Sequence, residues 1–465
     1  MTLKLLSNPK VLPPLDPTFK PAILEKIAYE KLVKESGKEA TLKIAVERNG
    51  GLVSVKQITV FADDAQYADY SCFYAERYVK TLLWVMGGRK IYMSGPEYIC
   101  QYLKKAYSPG GLRDFDVRTM SRIFEKPFET VITDDKGMPA ENEQAVPLGR
   151  HLNGCRIGFD AGGSDRKVSA VIDGESVYSE EVVWFPKLQT DPDYHYEHIL
   201  SAFKTAAEHM PRVDAIGVSS AGVYVDNRAM IASLFIKVPD DLFEKKVKDI
   251  YLRAAKEIGD VPIEVANDGD VTALAGAMSL EDNGVLGIAM GTSEAGGYVN
   301  ENGFLTGWLN ELAFVPVDFS LESMVDEWSG DFGCGVKYFS QDGVIKLAPA
   351  AKIELDESLS PAEKLKIVQT ELENGNKEAE KIFKSIGVYL GYALAYYAEF
   401  YKIKHLLVMG RVTSGKGGDL LINNAKKVLD MEFPELARQV ELHLPDEKSR
   451  RVGQSIAAAS LPEIR

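Results

Sequence analysis

The sequence predicts an α/β protein in which two related halves follow an N-terminal α/β segment. The first half begins with a strand, a glycine-rich turn and a second strand, in CRIGFDAGGSDRKVSAVID. The second half repeats that arrangement in GVLGIAMGTSEAGGYV. Helical periodicity separates the two copies, because Val271, Leu274, Ala275 and Met278 fall on one helix face. This repetition predicts two structurally related domains.

The N-terminal segment is predicted to contain its own strands and helices. ITVFA and KIYMS have strand patterns, and residues 67–86 and EYICQYLKKAY have helical patterns. Residues 126–156 lose this periodicity and collect Asp, Gly, Pro and Asn, as connecting segments do. We therefore expect an extension over 1–150, a first domain over 151–270 and a second over 271–465. The C-terminal helix is expected to return to the first domain.

Composition excludes several classes of protein. The 465 residues include 54 Lys and Arg against 68 Asp and Glu, which gives a formal charge of -14. A nucleic-acid partner held through its phosphates is therefore not expected. The longest apolar stretch, residues 388–398, is much shorter than the ~20 residues of a membrane span.

The cysteines and the chain start indicate a cytoplasmic protein. The four cysteines form no CxxC pair, so we expect reduced thiols at Cys72, Cys100, Cys155 and Cys334. The prolines among the first fifteen residues interrupt the chain before any signal-peptide core could form.

Two glycine turns are candidate phosphate-binding sites. Such turns let backbone N–H groups approach a phosphate, and a carboxylate at a strand end can hold Mg²⁺ through water. The first turn contains Asp160, Gly162, Gly163 and Ser164, and the second contains Gly291 and Thr292. If the two turns face each other, they could bind one polyphosphate. The alternative for the first turn is a tight hairpin with a solvated Asp160.

A candidate catalytic base follows the strand PIEVAND. Asp268 lies where this strand ends and a helix begins, a position from which a carboxylate can take a proton from a substrate hydroxyl. The alternative is that Asp268 or Asp270 only caps the helix. The amide of Asn267 could bind a sugar hydroxyl, as could Asn310 and Glu311.

At these residues the sequence resembles the ROK family of sugar kinases and repressors. This family belongs to the superfamily of hexokinase, actin and the heat-shock chaperone ATPases. DAGGSDRKV is similar to its first phosphate turn, and VPIEVANDGDVTALAGAM to its V-x-V-E-N-D segment. Three further segments are similar in the same order: GIAMGTSEAGGYVNENGFLTGWLNELAF, HLLVMGRVTSGKGGDLLINNAKKVL and GQSIAAASL. The resemblance covers residues 154–461.

The resemblance implies two RNase H-like domains of the actin/hexokinase type around a cleft, and a kinase that uses ATP and Mg²⁺. Asp268 falls on the family's catalytic base, and Asn267 and Glu311 fall on sugar contacts. Nucleotide contacts fall on Asp160, Gly162, Gly163, Ser164, Gly291, Thr292 and Gly410, with Asp160 also holding Mg²⁺ through water. A homodimer is also implied.

Several residues depart from the family pattern. Phe314 replaces a His that contacts sugar and binds zinc, and only Cys334 remains where the family has a cysteine cluster. We therefore expect no structural zinc. Glu294 places a carboxylate in the second turn, where it would repel ATP unless it turns away or pairs with Arg166, Lys167 or Arg411.

The leading hypothesis is an ATP- and Mg²⁺-dependent kinase acting on a sugar or sugar-like hydroxyl compound. A non-catalytic sugar-sensing or scaffold protein on the same fold is the alternative, since the second turn and Phe314 depart from the pattern. An ATP-hydrolysing activator would need cysteines for an iron–sulfur cluster, which the sequence lacks. Residues 1–150 could cap the cleft, mediate assembly or bind a partner.

Overall fold

The computed structural model describes residues 5–143, 148–444 and 447–464, with side chains described from residue 453 onward in the last range. The strands are β1 (Glu39–Glu47), β2 (Val53–Phe61), β3 (Lys90–Ser94), β4 (Glu129–Ile132), β5 (Cys155–Ala161), β6 (Asp165–Ile172), β7 (Glu175–Val183), β8 (Ala215–Ser220), β9 (Val223–Val225), β10 (Arg228–Ile231), β11 (Ile263–Asn267), β12 (Val285–Met290), β13 (Glu294–Val299), β14 (His405–Met409) and β15 (Glu441–His443). The helices are α1 (Ala22–Ser36), α2 (Ala68–Val85), α3 (Glu97–Ala106), α4 (Asp114–Phe124), α5 (Pro192–Glu208), α6 (Asp240–Leu242), α7 (Ile250–Lys256), α8 (Asp268–Leu280), α9 (Gln341–Leu347), α10 (Pro361–Glu373), α11 (Lys377–Tyr397), α12 (Lys416–Glu432), α13 (Pro434–Ala437) and α14 (Glu447–Ala459). Within these ranges, no helix is both long and apolar enough to cross a membrane.

The chain divides into two compact units. Unit 1 comprises Met1–Gln144, Ile288–Gly296 and Trp308–Leu444, and unit 2 comprises Ala145–Gly287, Gly297–Gly307 and Pro445–Arg465. These ranges differ from the three predicted segments, because the N-terminal segment forms one unit with most of the second half.

Unit 2 is built on a five-stranded sheet in the order β11-β8-β5-β6-β7. The pairs β5–β8 and β8–β11 are parallel, whereas β5, β6 and β7 form an antiparallel meander that includes the predicted hairpin. Helix α14 crosses β5 and β8 so closely that a side chain at Gly217 would overlap the backbone of Ala458. A parallel sheet of this kind brings the carboxyl ends of β5, β8 and β11 to one edge.

Two further sheets have the orders β2-β1-β3-β4 and β13-β12-β14-β15, and unit 1 contains all of their strands except residues 285–287 of β12 and 297–299 of β13. The strand and helix patterns of the N-terminal segment are confirmed, since β2, α2, β3 and α3 lie at the predicted positions. Helix α11 is buried along most of its length, as its nearly continuous apolar sequence predicts, and it packs against α12.

Residues 241–258 have apolar residues at helical spacing, yet they do not form one α-helix. Helix α6 runs into a π-helical turn over Phe243–Val247, in which the Lys248 N–H donates to the Phe243 carbonyl, and α7 follows. The wider turn buries both Phe243 and Val247, so side-chain packing determines the backbone here.

Helix α2 carries charged side chains into the interior of unit 1. The Lys80 ammonium lies 3.0 Å from an Asp116 carboxylate oxygen and 3.2 Å from one of Asp331. Asp331 also contacts Arg77 at 3.0 Å and Arg113 at 2.8 Å. Burial alone would raise the pKa of Asp331, but Arg77 and Lys80 outweigh it and hold that pKa below its usual value. This buried ion cluster attaches α2 and α4 to the loop before Cys334.

The Lys80→Met substitution should destabilise unit 1 by about 3–5 kcal/mol, because it removes the cation paired with the buried Asp116 carboxylate and one of the three cations around Asp331. Urea denaturation measures the change. Lys31→Met removes an exposed ion pair with Glu35 and should cost less than about 1 kcal/mol. Equal losses in the two variants would contradict a stabilising role for the cluster.

Candidate functional site

The predicted phosphate turn and the predicted base lie at one edge of the unit 2 sheet. Asp160 on β5 pairs in register with Ser219 on β8, and Ser219 pairs with Ala266 on β11. Asn267 ends β11, and Asp268 begins α8 immediately after it. The parallel register therefore brings together Asp160 and Asp268, which are far apart in the sequence. This is the edge at which open α/β sheets bind their ligands.

Asp160 is a buried carboxylate with one hydroxyl donor and one nearby cation. The Ser219 hydroxyl donates to it at 2.8 Å, and the Lys167 ammonium lies 3.9 Å away. Burial raises the pKa of Asp160 to about 6, against the opposing effects of Ser219 and Lys167, and the charge of Asp268 adds to the rise. Oxygen donors in a cluster of carboxylates have the chemistry that Mg²⁺ prefers, so this donor set fits the predicted ion.

The first glycine turn is held by a segment that sequence reasoning missed. The Trp184 indole N–H donates to the Gly162 carbonyl at 2.7 Å, and its backbone N–H donates to the Ser164 carbonyl at 3.1 Å. Lys187 follows Trp184 in the chain, and its ammonium group lies close to the turn. A Cβ atom built on Gly163 would be 3.4 Å from the Lys187 ammonium nitrogen. This ammonium also acts to lower the pKa of Asp268.

Asn267, rather than Asp268 or Asp270, caps helix α8. Its side-chain oxygen accepts the Gly269 N–H at 2.7 Å, and its amide donates to the Gly222 carbonyl at 2.7 Å. Asp270 accepts the Tyr298 N–H instead. The capping alternative for these two aspartates is therefore wrong, because the preceding asparagine makes the capping bond.

Asp268 is half-buried at the first turn of α8. Its carboxylate accepts the Gly269 N–H at 3.1 Å. Burial raises the pKa of Asp268, and this effect exceeds the lowering by backbone hydrogen bonds and by Lys187. A carboxylate with a raised pKa binds a proton more strongly than an ordinary aspartate, which suits a general base.

Lys167 and Arg166, two of the cations expected near the turns, lie on opposite faces of β6. Lys167 lies with Asp160 and Asp165, at 3.4 Å from the latter. Arg166 is buried on the other face, where it lies 3.6 Å from Glu180. The alternation of side chains along a strand separates the two residues, so Lys167 is the one at the phosphate turn.

In unit 1, the second glycine turn lies beside the predicted adenosine loop. Gly291 follows β12, and its carbonyl accepts the Gln341 N–H at 2.9 Å. The next residue, Thr292, is exposed to solvent. Gly410 follows β14 with a φ of 103°, and a Cβ there would overlap the Met290 backbone. Neighbouring strands thus bring Gly291 and Gly410 together, while Arg411 is exposed.

Glu294 turns into the interior of unit 1. Its side chain is only 3% exposed, and neither carboxylate oxygen has a hydrogen-bond partner among the described residues. Burial, and secondarily the charge of Glu311, holds the pKa of Glu294 well above its usual range. The environment of Glu294 therefore favours its protonated form. Its side chain faces Gly335, because a Cβ atom built on Gly335 would overlap the Glu294 carboxyl group.

The predicted substrate residues of unit 1 are attached to α2. Asn310 and Glu311 donate their backbone N–H groups to the carbonyls of Val85 and Trp84, each at 3.0 Å. The Asn310 side chain is buried, and its oxygen accepts the Tyr401 hydroxyl at 2.9 Å. That hydrogen bond fixes the Asn310 side chain within unit 1. The neighbouring Glu311 is half-buried.

Phe314 belongs to an aromatic cluster that includes residues of the N-terminal segment. Its ring centroid lies 4.2 Å from that of Trp84, 5.7 Å from Phe115 and 5.4 Å from Trp328. Cys334 is buried nearby in the chain segment that carries Asp331. Aromatic packing therefore occupies the position where the resemblance places a polar histidine.

The two units have folds of the actin/hexokinase type. Among solved structures, the ROK hexokinase from Thermus thermophilus matches with a TM-score of 0.50 and 17% identity, over 65% of this chain and 97% of that chain. A ROK family transcriptional regulator, a homologue of the E. coli MLC protein, matches with a TM-score of 0.51 and 15% identity, over 67% of this chain and 79% of that chain. The predicted fold class and the resemblance to ROK proteins are confirmed at the level of the fold.

The sequence comparisons give no further relatives. No protein-family model matches the sequence, and no curated protein matches it. The fold is therefore shared with a hexokinase and with a regulator, and only the residues of the site can favour one activity over another.

The Glu294→Gln substitution should make the protein progressively more stable than wild type as the pH rises from 5 to 7. The buried Glu294 stays protonated while the unfolded chain ionises above its ordinary pKa of 4.5, so wild type loses about 1.4 kcal/mol per pH unit from this group. Gln carries no such proton. Urea denaturation at several pH values measures the slope.

Glu35→Gln is the matched control, because Glu35 is exposed on α1. Its stability difference from wild type should stay constant over the same pH range. A constant difference for Glu294→Gln as well would show that Glu294 is ionised in the folded protein.

Proposed function

We propose that the protein transfers the γ-phosphoryl group of ATP, with Mg²⁺, to a hydroxyl group of a sugar or sugar-like compound. The observation that carries this proposal is the convergence of Asp160, Asp268 and Lys187 at the carboxyl edge of the unit 2 sheet. Phosphoryl transfer depends mainly on positioning and on charge neutralisation, and this edge offers a base, a glycine turn and cations.

Each residue at this edge has a distinct part in the proposed reaction. Asp268 accepts the proton of the substrate hydroxyl as its oxygen attacks the γ-phosphorus, and ADP leaves with the released bond pair. Asn267 positions Asp268 by capping α8. Lys167 and Lys187 bind phosphate oxygens beside Gly162, Gly163 and Ser164.

Asp160 would hold Mg²⁺ through water. The ion supplies charge neutralisation at the phosphates when bound. The carboxylate stays oriented by the Ser219 hydroxyl, which in turn accepts the Gln454 amide at 3.2 Å.

The residues of unit 1 are assigned to the nucleotide and the sugar. Gly291, Thr292 and Gly410 are proposed to contact the nucleotide and Glu311 the sugar, as the resemblance implies. Asn310, whose amide could bind a sugar hydroxyl, is proposed to help position the sugar. The inward-facing Glu294 supports the proposal, because a buried carboxyl group with a raised pKa points away from the second turn and is less often charged than an exposed glutamate. The expected homodimer and cytoplasmic location remain predictions.

A ligand-sensing protein without turnover is the second candidate. It is favoured by Phe314, whose ring packs against Trp84 at the position where the resemblance places a sugar-binding histidine. This candidate binds the sugar and forms no ADP. Phosphoryl transfer and ligand binding must therefore be measured separately.

Asp268→Asn should reduce kcat for ADP formation by about 10²–10⁴-fold while leaving the Kd for the Mg²⁺–ATP complex unchanged, because only the proton acceptor is lost. A coupled ADP assay with a panel of hexoses and amino sugars measures the rate, and titration calorimetry measures the affinity.

Asp241→Asn is the control for this variant, since Asp241 is exposed on α6. It should keep full activity. Sugar binding without ADP formation in wild type would select the ligand-sensing candidate. A wild-type protein that shows no sugar binding and no ADP formation would contradict both candidates.

Lys187→Gln should weaken binding of the Mg²⁺–ATP complex by about 10–100-fold, because a charge-assisted hydrogen bond to phosphate contributes about 1.5–3 kcal/mol. Lys204→Gln on α5, an exposed site, should leave the affinity unchanged. Calorimetric titration with a non-hydrolysable ATP analogue compares the two. Equal affinities for the two variants would remove Lys187 from the phosphate site.

A further inference from the structure

Strands β14 and β15 carry three side chains whose ligand atoms converge on one face of the unit 1 sheet. The two strands are parallel, with His405 opposite Glu441 and Leu407 opposite His443. Glu441 and His443 lie two residues apart on β15, so their side chains point to the same face. His405 is at the start of β14, whereas Gly410 follows the other end of that strand.

The distances within this trio are those of a metal-binding cluster. The His405 Nδ1 and His443 Nε2 atoms lie 3.1 Å apart, and each lies within 3.9 Å of a Glu441 carboxylate oxygen. Among the residues that the structure describes, these three side chains bring their ligand atoms close enough together to hold one metal ion.

We propose that His405, His443 and Glu441 bind a divalent transition-metal ion such as Zn²⁺. In a tetrahedral site with Zn–N bonds of about 2.0–2.1 Å, two imidazole nitrogens lie about 3.3–3.4 Å apart. The present 3.1 Å separation needs to open by only a few tenths of an ångström. Two imidazoles and one carboxylate favour Zn²⁺ and its neighbours over Mg²⁺ or Ca²⁺.

The arrangement of the two imidazoles also suits a metal. Their ring nitrogens already face each other at hydrogen-bond distance, so a metal ion can take the place of this contact without moving either strand.

An entry path and a fourth position are present. A cleft of about 380 Å³ is lined by Glu441 and His443 together with Lys426 and Asp430. The Glu441 side chain is largely exposed and can rotate to complete the site, whereas His405 is mostly buried and fixed on β14. Three protein ligands leave a position for water, and the bound ion links the edge strand β15 to β14.

The test uses the full chain without an affinity tag, stripped of metal with EDTA. Zn²⁺ is titrated against a chromophoric chelator, and Co²⁺ binding is followed by its visible absorption. Wild type should bind one Zn²⁺ per chain, show the intense bands of tetrahedral Co²⁺ and melt at a higher temperature with Zn²⁺ than without it.

His405→Gln and His443→Gln should each weaken Zn²⁺ binding by at least about 10-fold and remove the Co²⁺ bands. Glu441→Gln covers the case in which a histidine variant fails to fold, because Glu441 is exposed; it should weaken binding as well. His209→Gln, an exposed histidine of unit 2, should bind Zn²⁺ as wild type does. Absence of binding in wild type would overturn the proposal, and so would equal binding in all four variants.

Discussion

The buried carboxylate of Asp331 constrains the rest of unit 1. It is surrounded by Arg77, Lys80 and Arg113, which come from α2 and the start of α4. A buried charge is tolerated only while its partners remain in place, so this cluster allows few positions for α2. The end of α2 in turn supplies the Trp84 carbonyl that accepts the Glu311 N–H. The N-terminal segment is thus part of the structure that positions the predicted sugar contacts, rather than an independent appendage.

The same constraint accounts for the departures at Phe314 and Glu294. Trp84, fixed by α2, packs on Phe314, so this part of unit 1 is closed by aromatic rings. Glu294 lies in the same interior without a hydrogen-bond partner among the described residues, and Glu311 adds a second carboxylate near it. Burial and the nearby charge of Glu311 both raise the pKa of Glu294 and so favour its protonated form. Glu294 and Phe314 are therefore features of one apolar interior.

Much of the fold follows from local sequence patterns, and much of the site does not. Period-two and period-3.6 patterns predict β2, α2 and β3. The motifs indicate Asp160 and Asp268 as site residues, but only the parallel register shows that they lie at one edge of the sheet. Lys187 was missed because it belongs to no local motif, and only the folded chain places it over Gly163. The ion cluster was missed because its aspartates come from distant segments. The capping alternative named Asp268 or Asp270 because Asn and Asp are equally good caps, and only the backbone geometry identifies Asn267.

Charge balance at the unit 2 edge sets a condition on the proposed reaction. Asp160, Asp165 and Asp268 face two ammonium groups, those of Lys167 and Lys187. A triphosphate bound there without a metal ion would add several negative charges beside carboxylates that burial already disfavours in their ionised form. A divalent cation reverses this balance, because it attracts the phosphates and the carboxylates together and lowers the pKa of Asp160. In the proposed kinase, Mg²⁺ and ATP would therefore bind as one complex beside Asp160, whose pKa is raised mainly by burial.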